Sequence, residues 1–273
     1  MLVPGYSYAW QRAGGDDNGC GDGTIANSAL DIPAADHQAE FPFLGKGQRL
    51  NQNNMAGPAA LVVPALKKHT ATVIWAHGLG DRMPIAENFR RRGKFEEVKF
   101  VFPNAPNIPI TVNFGMSMPG CDLAQAHDQP GILKSRDYFN VLVKEEIEKG
   151  IPSSRIVIGG FSQGGAISLF TGVTSPEKLA GIFGLSSYLL LHDKIADYVS
   201  KENSNKDTPI FMGHGDMDPM VKHEWGTDTA KTLKEMGWTN VDFRTYKGLA
   251  HSADMKEMDD LERWLGERLP ATG

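Results

Sequence analysis

Residues 155–170, RIVIGGFSQGGAISLF, contain the pattern that decides the fold. A run of β-forming residues leads into two glycines, a serine stands at position 162, and a helix-forming run follows. Residues 160–164 match G-x-S-x-G. This motif holds a serine on a sharp strand-to-helix turn, where its neighbours two residues away must be small and its hydroxyl is exposed. The stretch therefore predicts a nucleophile elbow at Ser162.

Segments typical of strands and helices alternate on both sides of this elbow. The predicted strands are apolar on both faces, as a buried parallel sheet requires, and lie at residues 71–77, 98–103, 155–161, 179–186, 208–214 and 241–246. Helical patterns occur at residues 135–149, 164–173, 222–236 and 253–269. Ser135 is the predicted N-cap of the first helix, and Gly150 its stop. The alternation predicts a mostly parallel, doubly wound α/β sheet with helices on both faces. Together with the elbow at Ser162 it predicts an α/β-hydrolase fold.

Composition excludes several classes of function. The chain has 273 residues and a formal net charge of −5, and it carries no basic stripe of the kind that binds nucleic acid. Its apolar runs are of strand length, which predicts no transmembrane segment, and no secretory signal is evident. Only two cysteines occur, which favours a reducing compartment, the cytoplasm and also the nucleus.

The first 54 residues differ from the rest in composition and in hydrophobic pattern. They are polar and rich in glycine, for example GGDDNGCGDGT at 14–24, and have no sustained hydrophobic period. Such a segment cannot bury enough apolar surface to offset its ordering entropy. We therefore expect a disordered N-terminal extension over residues 1–54 and a hydrolase domain over residues 55–273, with Met55 as a candidate start.

A serine nucleophile needs a general base, which in this fold follows it late in the chain. Of the eight histidines, four precede Ser162, and His192 and His223 lie in polar helix or loop stretches. His214 ends a predicted strand. His251 lies in KGLAHSAD, between the last predicted strand and the last helix, where the base is expected. The sequence predicts His251 as the base.

The acid that orients this base is Asp216 or Asp218, since both follow the strand ending at His214. Asp218 is favoured because it precedes Pro219 in a loop, whereas Asp216 is typical of a turn residue that caps backbone N–H groups. The spacing His214-x-Asp216-x-Asp218 also leaves open a metal site, because alternate residues can bring ligands together.

Catalysis by a serine also needs donors for the oxyanion of the tetrahedral intermediate. The backbone N–H of Gln163, directly after the nucleophile, supplies one. The second is expected from the loop after an early strand, and HGLGD at 77–81 follows the first predicted core strand. We assign it to the N–H of Leu79.

Several stretches together resemble the acyl-protein thioesterase and lysophospholipase-like carboxylesterase family of serine hydrolases, in particular its fungal-type members. The matching stretches are HGLGD (77–81), FPNAP (102–106), MSMPG (116–120), KGIPSSRIVIGGFSQGGAISLF (149–170), LAGIFGLSSYLL (179–190), HGDMDPMV (214–221) and TYKGLAHS (245–252). The resemblance runs from about Met55 to the C-terminus. It implies a triad of Ser162, Asp218 and His251.

The resemblance also implies an activity. It implies hydrolysis of palmitoyl-type thioesters on protein cysteines, and of lysophospholipid or other carboxylic esters, in the cytosol and without a cofactor or metal. S-acylated proteins and lipid-like acyl esters are the expected partners, and the chain is expected as a monomer or weak homodimer. Apolar residues of the 108–118 loop are candidates for an acyl groove.

Two loops are shorter than the family pattern, near residues 81–85 and 119–130. Both would border the acyl pocket. They leave open a second class of function, a hydrolase-fold binding protein whose catalysis is impaired.

Overall fold

The structure, a computed structural model, describes residues 60–77, 85–103, 128–200 and 202–273. Several predictions lie outside these ranges, namely the extension over residues 1–54, the oxyanion donor Leu79 and the apolar loop 108–118. The two shortened loops also lie outside them, except for the residues at their ends.

A seven-stranded sheet lies at the centre of the described chain. Its strands are β1 (Leu61–Val63), β2 (Ala71–Ala76), β3 (Val98–Phe102), β4 (Ile156–Phe161), β5 (Gly181–Leu185), β6 (Ile210–Gly215) and β7 (Val241–Tyr246). Their order in space is β1-β3-β2-β4-β5-β6-β7, and only β1, paired with β3, runs antiparallel to its neighbour in this sheet. The predicted fold class is confirmed, and the six predicted strands are β2 to β7.

Sequence patterns missed β1, which is short and lies at the edge of the sheet. Its residues are only partly buried, with Leu61 exposed, so they lack the two-sided apolar pattern of the inner strands. The order also reverses between β2 and β4, since β3 lies on one side of β2 and β4 on the other. Ligands of open α/β sheets bind at the carboxyl ends of the strands beside such a reversal.

Six α-helices lie within the described ranges: α1 (Ile85–Arg91), α2 (Gln129–Glu148), α3 (Gln163–Thr174), α4 (Ile195–Tyr198), α5 (His223–Glu235) and α6 (Met255–Arg268). Across these ranges, none is long and apolar enough to span a bilayer.

The predicted start of α2 was wrong. The helix begins at Gln129, and its N-cap is Asp128, whose carboxylate accepts the Gly131 N–H at 3.1 Å. Pro130 suits the first turn because its missing N–H would have no helical acceptor there. Ser135 lies inside the helix, where its hydroxyl donates to the Gly131 carbonyl at 2.9 Å.

The two faces of the sheet bury separate apolar clusters. Successive residues of β4 alternate between them, as strand geometry requires, with Ile156 and Ile158 on the face covered by α2 and α3. Val157 lies on the opposite face, in the cluster that contains residues of α1 and α6. Phe161 packs against this second cluster, so the last side chain of β4 is directed towards the α6 side.

Near the amino ends of β2 and β3, a buried ion cluster joins the sheet to α2. We call it the Glu146 cluster, and it consists of Glu146, Lys99, Lys149 and Thr72. Glu146 is 2% exposed and accepts hydrogen bonds from Thr72 Oγ1 at 2.9 Å, from Lys149 Nζ at 3.0 Å and from Lys99 Nζ. Burial alone raises the pKa of Glu146, but the two lysines outweigh it and bring this pKa below the ordinary value.

Candidate active site

Ser162 forms the turn between β4 and α3. Its φ of 55° and ψ of −124° lie in a region that non-glycine residues rarely adopt. The Ser162 N–H donates to the Leu185 carbonyl of β5 at 2.8 Å, and its own carbonyl accepts the Ala166 N–H of α3 at 2.9 Å. Bonds to a strand on one side and to a helix on the other hold this strained conformation.

The glycines around Ser162 are required for close backbone approach. A Cβ on Gly160 or on Gly164 would overlap the carbonyl oxygen of Ala76 in β2, and a Cβ on Gly165 would lie 2.8 Å from the Gly160 carbonyl oxygen. Any side chain at these positions would push the elbow away from its neighbour strand. The steric reason given for G-x-S-x-G is therefore confirmed.

His251, in the loop between β7 and α6, lies against the elbow. Its Nε2 is 2.9 Å from Ser162 Oγ, and its Nδ1 is 2.8 Å from Asp218 Oδ2. An ionised carboxylate can only accept, so Nδ1 carries the hydrogen and donates it to Asp218. The lone pair of Nε2 is then free to accept the hydroxyl proton of Ser162. The structure thus brings together Ser162, His251 and Asp218, the three side chains predicted to act together.

The Asp218 carboxylate is buried and well satisfied. Its Oδ1 accepts the backbone N–H groups of Met220 and Val221, each at 2.9 Å, and its Oδ2 lies 3.5 Å from His214 Nε2. Burial raises its pKa, but hydrogen bonds from His214, His251 and the Val221 N–H outweigh this and bring the pKa well below the ordinary value. Asp218 is consequently ionised at neutral pH.

Asp216, the other candidate acid, caps a backbone N–H group in a turn, as predicted. Its Oδ1 accepts the Gly248 N–H at 2.6 Å, which joins the loop after β6 to the loop after β7. No bond between Asp216 and His251 occurs in the described part of the chain. His214, buried at 0% exposure, lies 2.9 Å through Nε2 from the Val221 carbonyl.

The alternative metal site finds no ligand set in the described ranges. Within residues 60–77, 85–103, 128–200 and 202–273, no three His, Cys, Asp or Glu side chains converge closely enough to hold an ion. Asp216 is also directed away from the pair formed by His214 and Asp218, because its carboxylate binds Gly248.

Of the two predicted oxyanion donors, the structure describes Gln163. Gln163 is the first residue of α3, and N–H groups in the first turn of a helix have no acceptor within the helix. Its N–H is thus placed beside the Ser162 side chain at the positive end of the helix dipole. His77, two residues before Leu79, lies beside the elbow, since a Cβ on Gly164 would lie 2.6 Å from the His77 carbonyl oxygen.

Sequence reasoning missed Glu257, a buried carboxyl next to this site. It is 0% exposed, and neither of its oxygens has a hydrogen-bond partner in the described part of the chain. Burial, and then the charges of Asp254 and Asp218, raises the pKa of Glu257 to about 8. The only signal in the sequence was Asp254-x-x-Glu257, which is typical of an exposed helix start.

Comparisons with known proteins agree with this geometry. The profile of the phospholipase/carboxylesterase family matches residues 58–268. A protein of Aspergillus fumigatus named acyl-protein thioesterase 1 is 57% identical over 230 residues, which are 79% of this chain and 95% of that protein. One of the same name from Neurospora crassa is 52% identical over 232 residues, 80% of this chain and 94% of its own.

Solved structures give the same result. SOBER1 of Arabidopsis thaliana superposes with a TM-score of 0.63 at 30% identity, covering 73% of this chain and 99% of its own. Acyl-protein thioesterase 2 of Zea mays has a TM-score of 0.63 at 25% identity, covering 77% of this chain and 98% of its own. These matches confirm the resemblance drawn from the sequence.

Proposed function

The chain belongs to the phospholipase/carboxylesterase family of α/β hydrolases and is a hydrolase, and from that premise we propose that it removes fatty-acyl groups from protein cysteines. The proposed reaction is hydrolysis of a thioester through Ser162, His251 and Asp218. Lysophospholipids and other carboxylic esters are proposed as further substrates of the same site. The names of the fungal relatives support the thioester substrate.

One observation carries the proposal, the chain of two hydrogen bonds from Ser162 Oγ to His251 to Asp218, at 2.9 and 2.8 Å. A serine hydroxyl is a weak nucleophile unless a base takes its proton. The imidazole is positioned for this, and the ionised carboxylate stabilises the positive charge that the imidazole then acquires.

The reaction proceeds in two halves. Ser162 Oγ attacks the acyl carbonyl carbon as its proton moves to His251 Nε2, and the oxyanion binds the N–H groups of Gln163 and Leu79. The bond from the acyl carbon to sulfur or oxygen breaks, and His251 returns the proton to the leaving thiolate or alkoxide. Water then attacks the acyl-enzyme, gives its proton to His251, and Ser162 regains a proton as the fatty acid leaves.

The test is Ser162→Ala, assayed on a palmitoyl-peptide thioester, a lysophospholipid and a short nitrophenyl ester. We expect turnover to fall by about 10⁴-fold or more and fluorophosphonate labelling to disappear, because Ser162 is the hydroxyl that the described part of the chain aligns with His251. Ser168→Ala, the same change at a buried position within α3, is the matched control and should keep both. Undiminished turnover in Ser162→Ala would exclude the proposed nucleophile.

The comparisons do not favour the second class of function, a catalytically impaired binding protein. Relatives that match most of this chain at 42–57% identity carry the name of an enzyme. Location in the cytoplasm and nucleus, and a monomeric or weakly dimeric state, stay predictions. Gel filtration and fractionation of cells test them.

A further inference from the structure

The side chain of Phe161 lies against the imidazole of His251. The two ring centroids are 4.9 Å apart, and the ring planes are inclined at 46°. Phe161 is the residue directly before Ser162, at the first variable position of G-x-S-x-G. The motif itself therefore gives this residue no role. We propose that Phe161 is a positioning residue that fixes the tilt of His251 between Ser162 and Asp218 and stabilises its charged form; this rests on the proposed function.

The two hydrogen bonds of His251 leave one motion of its ring poorly restrained. Both bonds are made by ring nitrogens, Nδ1 and Nε2, whose N–H and lone pair lie in the plane of an imidazole. They resist translation of the ring, but rocking about the line through the two nitrogens changes their lengths little. An aromatic ring in tilted contact with the imidazole opposes this rocking, because the imidazole cannot turn without losing contact or overlapping it.

Phe161 is itself held firmly enough to act in this way. As the last residue of β4 it pairs with Leu185 of β5, and its side chain packs against the apolar cluster on the α6 face of the sheet. His251, in the loop before α6, contacts the Phe161 ring and therefore lies on that same face. Phe161, which supports the base His251, is adjacent in the chain to the nucleophile Ser162. Any shift of the elbow therefore moves both residues together.

An aromatic ring also favours a neighbouring cation. When Ser162 gives up its proton, His251 becomes positively charged, and the negative face of an aromatic ring attracts such a charge. The titratable groups that reach this site are Asp218, bonded to His251, and His214, which lies beside the same carboxylate. Two further carboxyl groups come from the α6 side, Asp254 at the N-cap of the helix and Glu257 in its first turn. A substitution of Phe161 leaves all four of these groups in place.

The test is Phe161→Leu, which keeps an apolar side chain on the strand but removes the aromatic ring. We expect kcat on a nitrophenyl ester to fall about tenfold with KM little changed, because the base is misplaced while the substrate site is not. The acidic limb of the pH profile of kcat/KM should move down by about half a pH unit, since the charged form of His251 loses a favourable neighbour.

Two variants control for a merely structural effect. Phe161→Tyr keeps the ring and should retain kcat within about twofold and an unshifted profile. Phe95→Leu removes a partly buried phenylalanine from the same apolar cluster, where it contacts Phe89 and Phe100. It should lower the melting temperature as Phe161→Leu does, and leave the pH profile unchanged.

The outcomes separate this inference from the proposed function. If Ser162→Ala is inactive while Phe161→Leu has the wild-type kcat and pH profile, the positioning role is overturned and the triad stands. Equal loss in Phe161→Leu and Phe95→Leu, with no shift of either profile, also overturns it. Activity that survives Ser162→Ala removes the proposed function and this inference with it.

Discussion

Buried carboxylates lie at both ends of the parallel sheet, and their partners differ. At the amino end, Glu146 is surrounded by the ammonium groups of Lys99 and Lys149. At the carboxyl end, the side chains beside Asp218 within the described residues are the imidazoles of His214 and His251, and backbone N–H groups satisfy its other oxygen.

Because of this difference, the carboxylate at the amino end contributes to stability and the one at the carboxyl end to catalysis. Two fixed cations neutralise Glu146, so little of its field extends beyond the cluster, and its effect is to join α2 to the sheet. Backbone N–H groups and imidazoles, rather than lysine side chains, surround Asp218, so its charge can stabilise a proton that arrives on His251. A lysine beside Asp218 would weaken that effect. Substitutions at the two ends should accordingly change different properties.

Among substitutions of the two buried carboxylates, the largest expected effect follows from Asp218→Asn. The asparagine keeps an oxygen for the Met220 and Val221 N–H groups, but its amide donates to His251 Nδ1 and so favours the other tautomer. Nε2 then carries a hydrogen and cannot accept the proton of Ser162. We expect kcat on a nitrophenyl ester to fall by about 10³–10⁴-fold, with a smaller change in unfolding free energy.

Asp216→Asn is the matched control for this prediction. The same substitution two residues away still accepts the Gly248 N–H, so kcat should stay within about threefold of the wild type. Comparable losses in the two variants would show that the acid was assigned to the wrong residue.

Glu146→Gln should lower the stability of the protein and leave its turnover unchanged. It leaves Lys99, whose side chain is 13% exposed, without a counter-charge in the interior. We expect the unfolding free energy to fall by about 3–4 kcal/mol, measured by urea denaturation, while kcat of the folded protein stays near the wild-type value. Glu145→Gln, on the same helix but more exposed, should cost less than about 0.5 kcal/mol. A loss of kcat without a loss of stability would contradict the division between the two ends.

A smaller effect, dependent on pH, is expected from Glu257→Gln. The pKa of Glu257 is raised to about 8 in the folded chain, against an ordinary value of 4.5. Below that ordinary value both states hold the proton, so the carboxyl does not affect folding. As the pH rises towards 8, the unfolded chain loses the proton and the folded chain keeps it, so stability falls.

Glutamine removes this penalty. The variant should be more stable than the wild type by about 3 kcal/mol at pH 7, because that pH lies 2.5 units above the ordinary pKa of 4.5, and the difference should disappear near pH 4. Thermal unfolding from pH 4 to 8 measures it. Glu267→Gln, an exposed position on the same helix, should show no such trend. A constant difference across this range would mean that Glu257 is not buried in its neutral form.

Most of the fold could be predicted because its inner strands are buried on both faces. An apolar run such as residues 156–161 reports that environment directly, and the other inner strands are also largely apolar. The start of α2 was predicted wrongly because Ser135 fits a cap in sequence, whereas Asp128 followed by Pro130 is the stronger combination. The edge strand β1 could not be found because half-buried residues there carry no regular pattern.

Some residues of the site could also be predicted from local sequence, and others could not. Ser162, Asp218 and His251 were predictable because backbone requirements of the elbow and of the loops after β6 and β7 fix where they stand in the chain. Glu257 and the ring of Phe161 were not, since their importance depends on what α6 and the His251 loop bring beside them. Such contacts between distant segments leave no local signature.

The backbone of Ser162 has a consequence for how such a protein changes under selection. Its φ of 55° and ψ of −124° cost an L-residue about 1–3 kcal/mol, which glycine would largely avoid. A screen for heat resistance alone would therefore reward replacement of the nucleophile by glycine. Libraries made to improve durability need an activity filter at every round, or they will drift towards inert variants that melt later.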